Sequence, residues 1–178
     1  ERGGGVYNTS DSSLTLTDVI FSGNSATTGG GMFNDGGDPT LRSVTFISNT
    51  APSGNGGGMY NVNPGQPTLT DVTFSDNSAA SGGGMFNNNT ASPILVSVTF
   101  ISNTATASNG YGGGMGNYQS SPTLRNVTFS ANSAYDGGGM GNLYSSPTSP
   151  NVTFSGNMAV GNYGGGMRTF DSSPTLTN

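Results

Sequence analysis

The sequence predicts an all-β fold, a right-handed parallel β-helix (solenoid) of about seven coils, each 25–30 residues long. Three observations lead to this prediction. A Gly-Gly-Gly triplet recurs at nearly constant spacing, a Val-Thr-Phe segment recurs with it, and no repeat has a helical period. One repeat cannot bury its own apolar face, whereas stacked repeats share a continuous core.

The glycine triplet sets the register of the repeat. Successive triplets begin 26, 27, 26, 30, 25 and 27 residues apart, at Gly3, Gly29, Gly56, Gly82, Gly112, Gly137 and Gly164. We expect these glycines to supply positive φ or close approach at a corner. They do not form a phosphate-binding loop, because the chain has no Lys and no helix is predicted to follow.

The Val-Thr-Phe segment is the predicted core strand. Its alternation places Val and Phe on one face and Thr on the other. Val72, Val98 and Val127 should therefore point inward and Thr73, Thr99 and Thr128 outward, because a slip of one residue would reverse every side chain. The predicted core ladder consists of Phe21, Phe46, Phe74, Phe100, Phe129 and Phe154.

Two columns of asparagine accompany the strands, one after each of the first six triplets, with Thr169 breaking the run after the seventh, and one after each Phe. We expect both columns to turn corners, with each side-chain amide bonding to backbone or to the Asn one coil away. The loops before successive triplets alternate in length. The longer ones, such as 106–111, are expected to project from one edge of the helix.

Composition limits the partners. Only 7% of the residues are charged and the net charge is −5. A nucleic-acid partner is not expected, because phosphate binding needs clustered cations. Direct membrane insertion is not expected either, since no apolar stretch approaches the roughly 20 residues of a membrane span. Residues 1–178 form one repeat domain, expected to be a segment of a longer array because the chain begins and ends within a repeat.

The repeat also resembles known surface proteins. The segments Phe21–Ala26 and Gly29–Asn34 read Phe-Ser-Gly-Asn-Ser-Ala and Gly-Gly-Gly-Met-Phe-Asn. They resemble the paired FxxN and GGA[IL] repeats of the chlamydial polymorphic outer-membrane proteins. They are also similar to the Gly-Gly-Gly-Ile-Tyr-Asn repeats of large surface-anchored β-helical proteins of environmental bacteria. This resemblance implies an extracellular, cell-surface location and an adhesive or structural role without catalytic residues.

Catalysis is not expected from the residues themselves. β-Helical lyases and hydrolases need clustered carboxylates with a nearby base, and this chain has no His or Lys. Asp18 and Asp71 occupy equivalent positions two coils apart, with Ser43 between them. Asp35 and Asp38 share one loop and could hold a cation loosely, although solvated loop acids are the commoner explanation. We expect no cofactor and no metal site.

A file of aromatic residues is the predicted contact surface. Tyr7, Phe33, Tyr60 and Phe86 alternate with inward residues, so all four are expected to be exposed on one face. They could stack on sugars, pack on another subunit, or cover the sheet against each other. The partners expected are surface glycans, proteins of a host or neighbouring cell, or copies and further repeats stacked end to end.

The function expected from these features is a secreted cell-surface module with a structural or adhesive role. The alternative is a self-assembling subunit of an extracellular filament or sheath. Polysaccharide binding and ice binding are lesser alternatives. Ice binding is suggested by the outward Thr residues, but the second file of Thr that such a surface needs is broken by Arg42, Val96 and Arg125.

Overall fold

The chain winds into a right-handed parallel β-solenoid with up to four short strands in each coil. A computed structural model describes residues 1–10, 12, 14–161 and 163–178. Within these residues, strands in adjacent coils pair in parallel through about six turns, close to the seven coils expected from the triplets. The described residues contain no helix, and so none that is long and apolar enough to cross a membrane.

Two of the four sheets contain seven strands each. The sheet that follows the glycine triplets, here called the Met sheet, is formed by Val6–Thr9, Met32–Asp35, Met59–Val62, Met85–Asn88, Met115–Tyr118, Met140–Leu143 and Met167–Phe170. The next sheet along the chain, the Leu sheet, is formed by Thr15–Thr17, Thr40–Arg42, Thr68–Thr70, Ile94–Val96, Thr123–Arg125, Thr148–Pro150 and Thr175–Thr177.

The other two sheets are shorter. The Phe sheet is formed by Ile20–Ser22, Thr45–Ile47, Thr73–Ser75, Thr99–Ile101, Val127–Ser130 and Val152–Ser155. The Ala sheet is formed by Thr50–Asn55, Ser78–Ser81, Thr104–Ala105, Ser133–Ala134 and Met158–Ala159.

Left-handed residues turn the chain at the corners of each coil. The first glycine of every triplet has positive φ, and the third approaches its neighbours closely. A Cβ on Gly31, for example, would lie 2.6 Å from the Gly58 carbonyl oxygen and 2.8 Å from the Phe46 ring. The corner between the Leu and Phe sheets is also left-handed but contains no glycine: Asp18, Ser43, Asp71, Ser97, Asn126 and Asn151. Short polar side chains tolerate this conformation better than most.

Ala131 carries backbone strain at the corner after the Phe sheet. Its φ is 54°, whereas Gly23 and Gly156 occupy the same corner in other coils. The side chain is exposed, so Ala131→Gly should remove strain without loss of packing and raise the free energy of unfolding by about 1 kcal/mol. Urea denaturation would measure this. Ala134→Gly, at a buried strand position, is the control and should lower stability; equal effects at both positions would contradict the assignment.

The interior is filled by columns of identical side chains. The central phenylalanines are fully buried, with Phe74 stacked on Phe46 and on Phe100 at 4.8 Å between ring centroids and within 4° of parallel. Met, Leu and Val columns complete the core. Phe154 is only partly buried. Val72 is buried and Thr73 is half-exposed, as the alternation predicts.

The two asparagine columns are internal hydrogen-bond ladders. In the column after the Phe sheet, the Asn77 Oδ1 accepts from the backbone N–H and the Nδ2 of Asn49, at 2.9 and 3.0 Å. The Asn77 Nδ2 donates to Asn103 Oδ1 and to the Phe46 carbonyl, both at 2.9 Å. In the Met-sheet column Asn8, Asn61, Asn87 and Asn117 each donate to the next Asn. Asn34 donates to the Gly37 carbonyl instead, and the buried Asn142 Nδ2, whose next neighbour is Thr169, has no hydrogen-bond partner among the described residues. This confirms the bonding that the sequence predicts.

Candidate contact surface

The outer face of the Met sheet carries the aromatic file. Strand register aligns the file from coil to coil, and its positions are Tyr7, Phe33, Tyr60, Phe86, Gly116, Gly141 and Arg168. Tyr7 and Phe33 stack at 5.3 Å between ring centroids, and Phe33 meets Tyr60 edge to face at 5.1 Å. The aromatic residues therefore form one continuous row along the solenoid axis.

The expected exposure of all four aromatic rings is wrong for two of them. Phe33 is 2% exposed and Phe86 is 3% exposed, whereas Tyr7 is 46% exposed and Tyr60 is partly exposed. The reason is mutual covering, because each Phe lies between two neighbouring rings. The Arg2 guanidinium also lies 5.2 Å from the Phe33 ring centroid. The accessible surface of the file is therefore formed by the tyrosines.

Tyr111 continues the file where the strands carry glycine. Its ring lies 5.6 Å from that of Phe86, and a Cβ on Gly141 would meet the Tyr111 ring at 2.8 Å. The loop 106–111 was expected to project outward; instead, its last side chain folds back onto the Met sheet. Burial raises the pKa of the Tyr111 hydroxyl well above its ordinary value, and nearby Tyr118 and Tyr60 add to this effect. The hydroxyl therefore stays protonated in any physiological solution.

Gly116 is needed because the Phe86 ring occupies the space of a side chain. A Cβ there would lie 2.8 Å from Phe86 Cδ2. Gly116→Ala should therefore lower the free energy of unfolding by about 1–3 kcal/mol. In a Phe86→Ala background the same change should be neutral or stabilising, since alanine suits a strand better than glycine. A double-mutant cycle by urea denaturation measures the coupling; additive effects would show that the ring is not the obstacle.

A groove of about 270 Å³ lies beside the file, lined by Arg2, Phe33, Asp35, Tyr60 and Asn63, among others. Its polar groups are held by neighbours. Asp35 accepts hydrogen bonds from the Tyr7 hydroxyl at 3.1 Å and from Asn63 Nδ2 at 2.6 Å. The Tyr60 hydroxyl accepts from Asn88 Nδ2 at 2.9 Å. The groove thus places two aromatic rings beside charged and amide groups in fixed positions.

The acidic residues singled out from the sequence lie at different places in the fold. Asp18 and Asp71 lie on exposed corners with Ser43 between them, as expected. Asp35 and Asp38 have different hydrogen-bond partners. Asp35 accepts from the side chains of Tyr7 and Asn63, whereas Asp38 accepts from the Gln66 backbone N–H at 2.6 Å. In the described part of the chain, no group of three or more His, Cys, Asp or Glu side chains is placed to hold a metal ion.

Two further features were missed from the sequence. Tyr118, Tyr144 and Phe170 form a second aromatic row with edge-to-face contacts at 5.9 and 5.7 Å. Arg168 Nη1 donates to the buried Asp136 carboxylate at 2.7 Å. This second aromatic row could not be recognised as a periodic pattern in the sequence, because Tyr144 follows its strand rather than lying in it. The ion pair joins residues 32 apart that occupy different positions in the repeat.

The fold defines a β-helix repeat protein. The chain belongs to the family described as the right handed beta helix region, whose model matches residues 4–178. It is 41% identical over 85 residues to the probable autotransporter YfaL of Escherichia coli (strain K12). The matched region covers 44% of this chain and 7% of that protein. The chain thus corresponds to a small part of the length of this relative. No solved structure gives a significant match.

Proposed function

We propose that the chain is a non-catalytic module of a secreted, surface-displayed bacterial protein, with a structural and adhesive role. The observation that carries the proposal is the unbroken parallel stack. The Phe side chains pack against each other inside this stack, and the Asn side chains form hydrogen bonds there. The outer face of the stack exposes tyrosines and a polar groove. About six steps of 4.8 Å give a stiff spacer roughly 30 Å long.

Similarity supports the surface location. The relative in Escherichia coli is a probable autotransporter. The paired repeats of the sequence also resemble those of the chlamydial polymorphic outer-membrane proteins. The non-catalytic role is supported by the acids, since Asp35 and Asp38 already accept hydrogen bonds from protein donors. Asp18 and Asp71 lie on separate exposed corners.

Surface display can be tested on intact cells of the source bacterium. An antibody against this chain should label the cells, and external proteinase K should remove the signal. A cytoplasmic protein serves as the internal control and should survive the same treatment until the cells are lysed. Labelling that appears only after lysis would reject the proposal. Negative-stain electron microscopy of the labelled material separates single stalks from continuous fibres, and fibres would favour the filament alternative.

A further inference from the structure

We propose that the groove beside the aromatic file binds one ring of a neutral saccharide. The inference rests on the proposed function, to which it adds the chemistry of the ligand. The residues of the groove that carry the inference are Arg2, Phe33, Asp35, Tyr60 and Asn63; Thr28 and Val62 complete its lining.

The size of the groove selects a small unit. At about 270 Å³ it lies just below the roughly 300 Å³ at which sites for drug-sized ligands begin. A single six-membered sugar ring fits this space, whereas a folded peptide does not. The groove is open on the solvent side, so the neighbouring units of a longer glycan can continue outside it.

The polar groups of the groove match hydroxyl chemistry. A hydroxyl both donates and accepts, and the groove offers both partners. Asp35 is an acceptor with about four lone-pair positions, of which Tyr7 and Asn63 use two. Arg2 and the second N–H of Asn63 Nδ2 are donors. Because Arg2 and Asp35 carry opposite charges, neither an anionic nor a cationic ligand gains a net electrostatic advantage.

The groove is already ordered before a ligand arrives. Asn63 donates a hydrogen bond to Asp35, and Asn63 Oδ1 in turn accepts one from Asn89 Nδ2 at 2.7 Å. The positions of both Asp35 and Asn63 are therefore fixed by hydrogen bonds. The Tyr60 ring is fixed by its hydroxyl bond to Asn88 and by its contact with Phe33. Pre-ordered groups cost less entropy on binding. The partly exposed Tyr60 ring offers its electron-rich face to the C–H groups of a sugar.

Binding at one such groove should be weak, with Kd on the order of millimolar, because the groove is shallow and few groups are desolvated. Many copies displayed on a cell would convert weak sites into firm attachment through effective concentration. This is the behaviour that an adhesive surface module requires.

The test is NMR titration of the purified chain with maltose, cellobiose, lactose and N,N′-diacetylchitobiose, with galacturonic acid and glucosamine as charged probes. At least one neutral disaccharide should shift the backbone amides of residues 35, 60 and 63. Asp35→Asn and Tyr60→Ala should each weaken that binding at least tenfold. Tyr144→Ala, in the second aromatic row, is the matched control and should leave binding unchanged.

Several results would overturn the assignment. These are no shift at the groove with any neutral disaccharide, binding of the charged probes alone, or equal loss in Tyr60→Ala and Tyr144→Ala. Amide spectra of each variant outside the groove show whether the fold is retained, and Asp35→Asn is close to isosteric. The surface-labelling experiment on cells is independent of this titration. If the cells are labelled but no saccharide shifts the groove amides, only the saccharide site is rejected. If intact cells are not labelled, the proposed surface function is rejected.

Discussion

Phe74→Ala is expected to lower the free energy of unfolding by about 3–5 kcal/mol. The Phe74 ring is fully buried and stacks on Phe46 and Phe100, so its removal leaves a cavity between two rings. Strands above and below are fixed by parallel pairing, which prevents the neighbours from collapsing into the space. Urea denaturation followed by circular dichroism measures the loss.

Phe170→Ala provides the control for this prediction. Phe170 is an aromatic residue of the same type but is 46% exposed on the second aromatic row. Its replacement should cost less than about 1 kcal/mol. A loss at Phe74 no larger than the loss at Phe170 would show that the ladder is not the source of stability.

The repeat period and the strand alternation were sufficient to predict the fold class. Identical residues recur where identical environments recur, so Phe74 and Val72 could be placed inside and Thr73 outside without coordinates. The corner between the Leu and Phe sheets was not recognised as left-handed because its residues vary among Asp, Ser and Asn. The conformation there is set by the neighbouring strands rather than by any one side chain.

The contact surface was harder to predict for a related reason. Alternation correctly places Phe33 and Phe86 on the outer side of the strand, but it contains no information about what covers them. Their burial depends on adjacent coils and on Tyr111, which arrives from a loop of irregular length. The groove likewise joins Arg2, Asp35 and Asn63 from three successive coils. Such sites depend on loop conformation, which varies between repeats.

The asparagine column after the Phe sheet is expected to stabilise the coils through its buried hydrogen bonds. Asn77→Ala is expected to lower the free energy of unfolding by about 3–5 kcal/mol, although it removes only a small polar group. The Asn77 side chain is fully buried and takes part in four hydrogen bonds. Alanine would leave the Asn49 N–H and the Phe46 carbonyl without these partners in the interior, and each buried unsatisfied group costs about 1–3 kcal/mol.

The matched control is Asn109→Ala, which changes the same side chain at an exposed loop position and should alter stability by less than about 0.5 kcal/mol. Amide hydrogen exchange adds a local readout, because the Asn49 N–H should lose protection in Asn77→Ala before distant coils do. Since coils contact only their neighbours, the damage should spread no further than the adjacent coils at low denaturant. If the Asn49 amide keeps its protection and the free energy of unfolding is unchanged, then the asparagine column does not contribute to stability. Parallel strand pairing and the Phe ladder would then be sufficient to stabilise the corner.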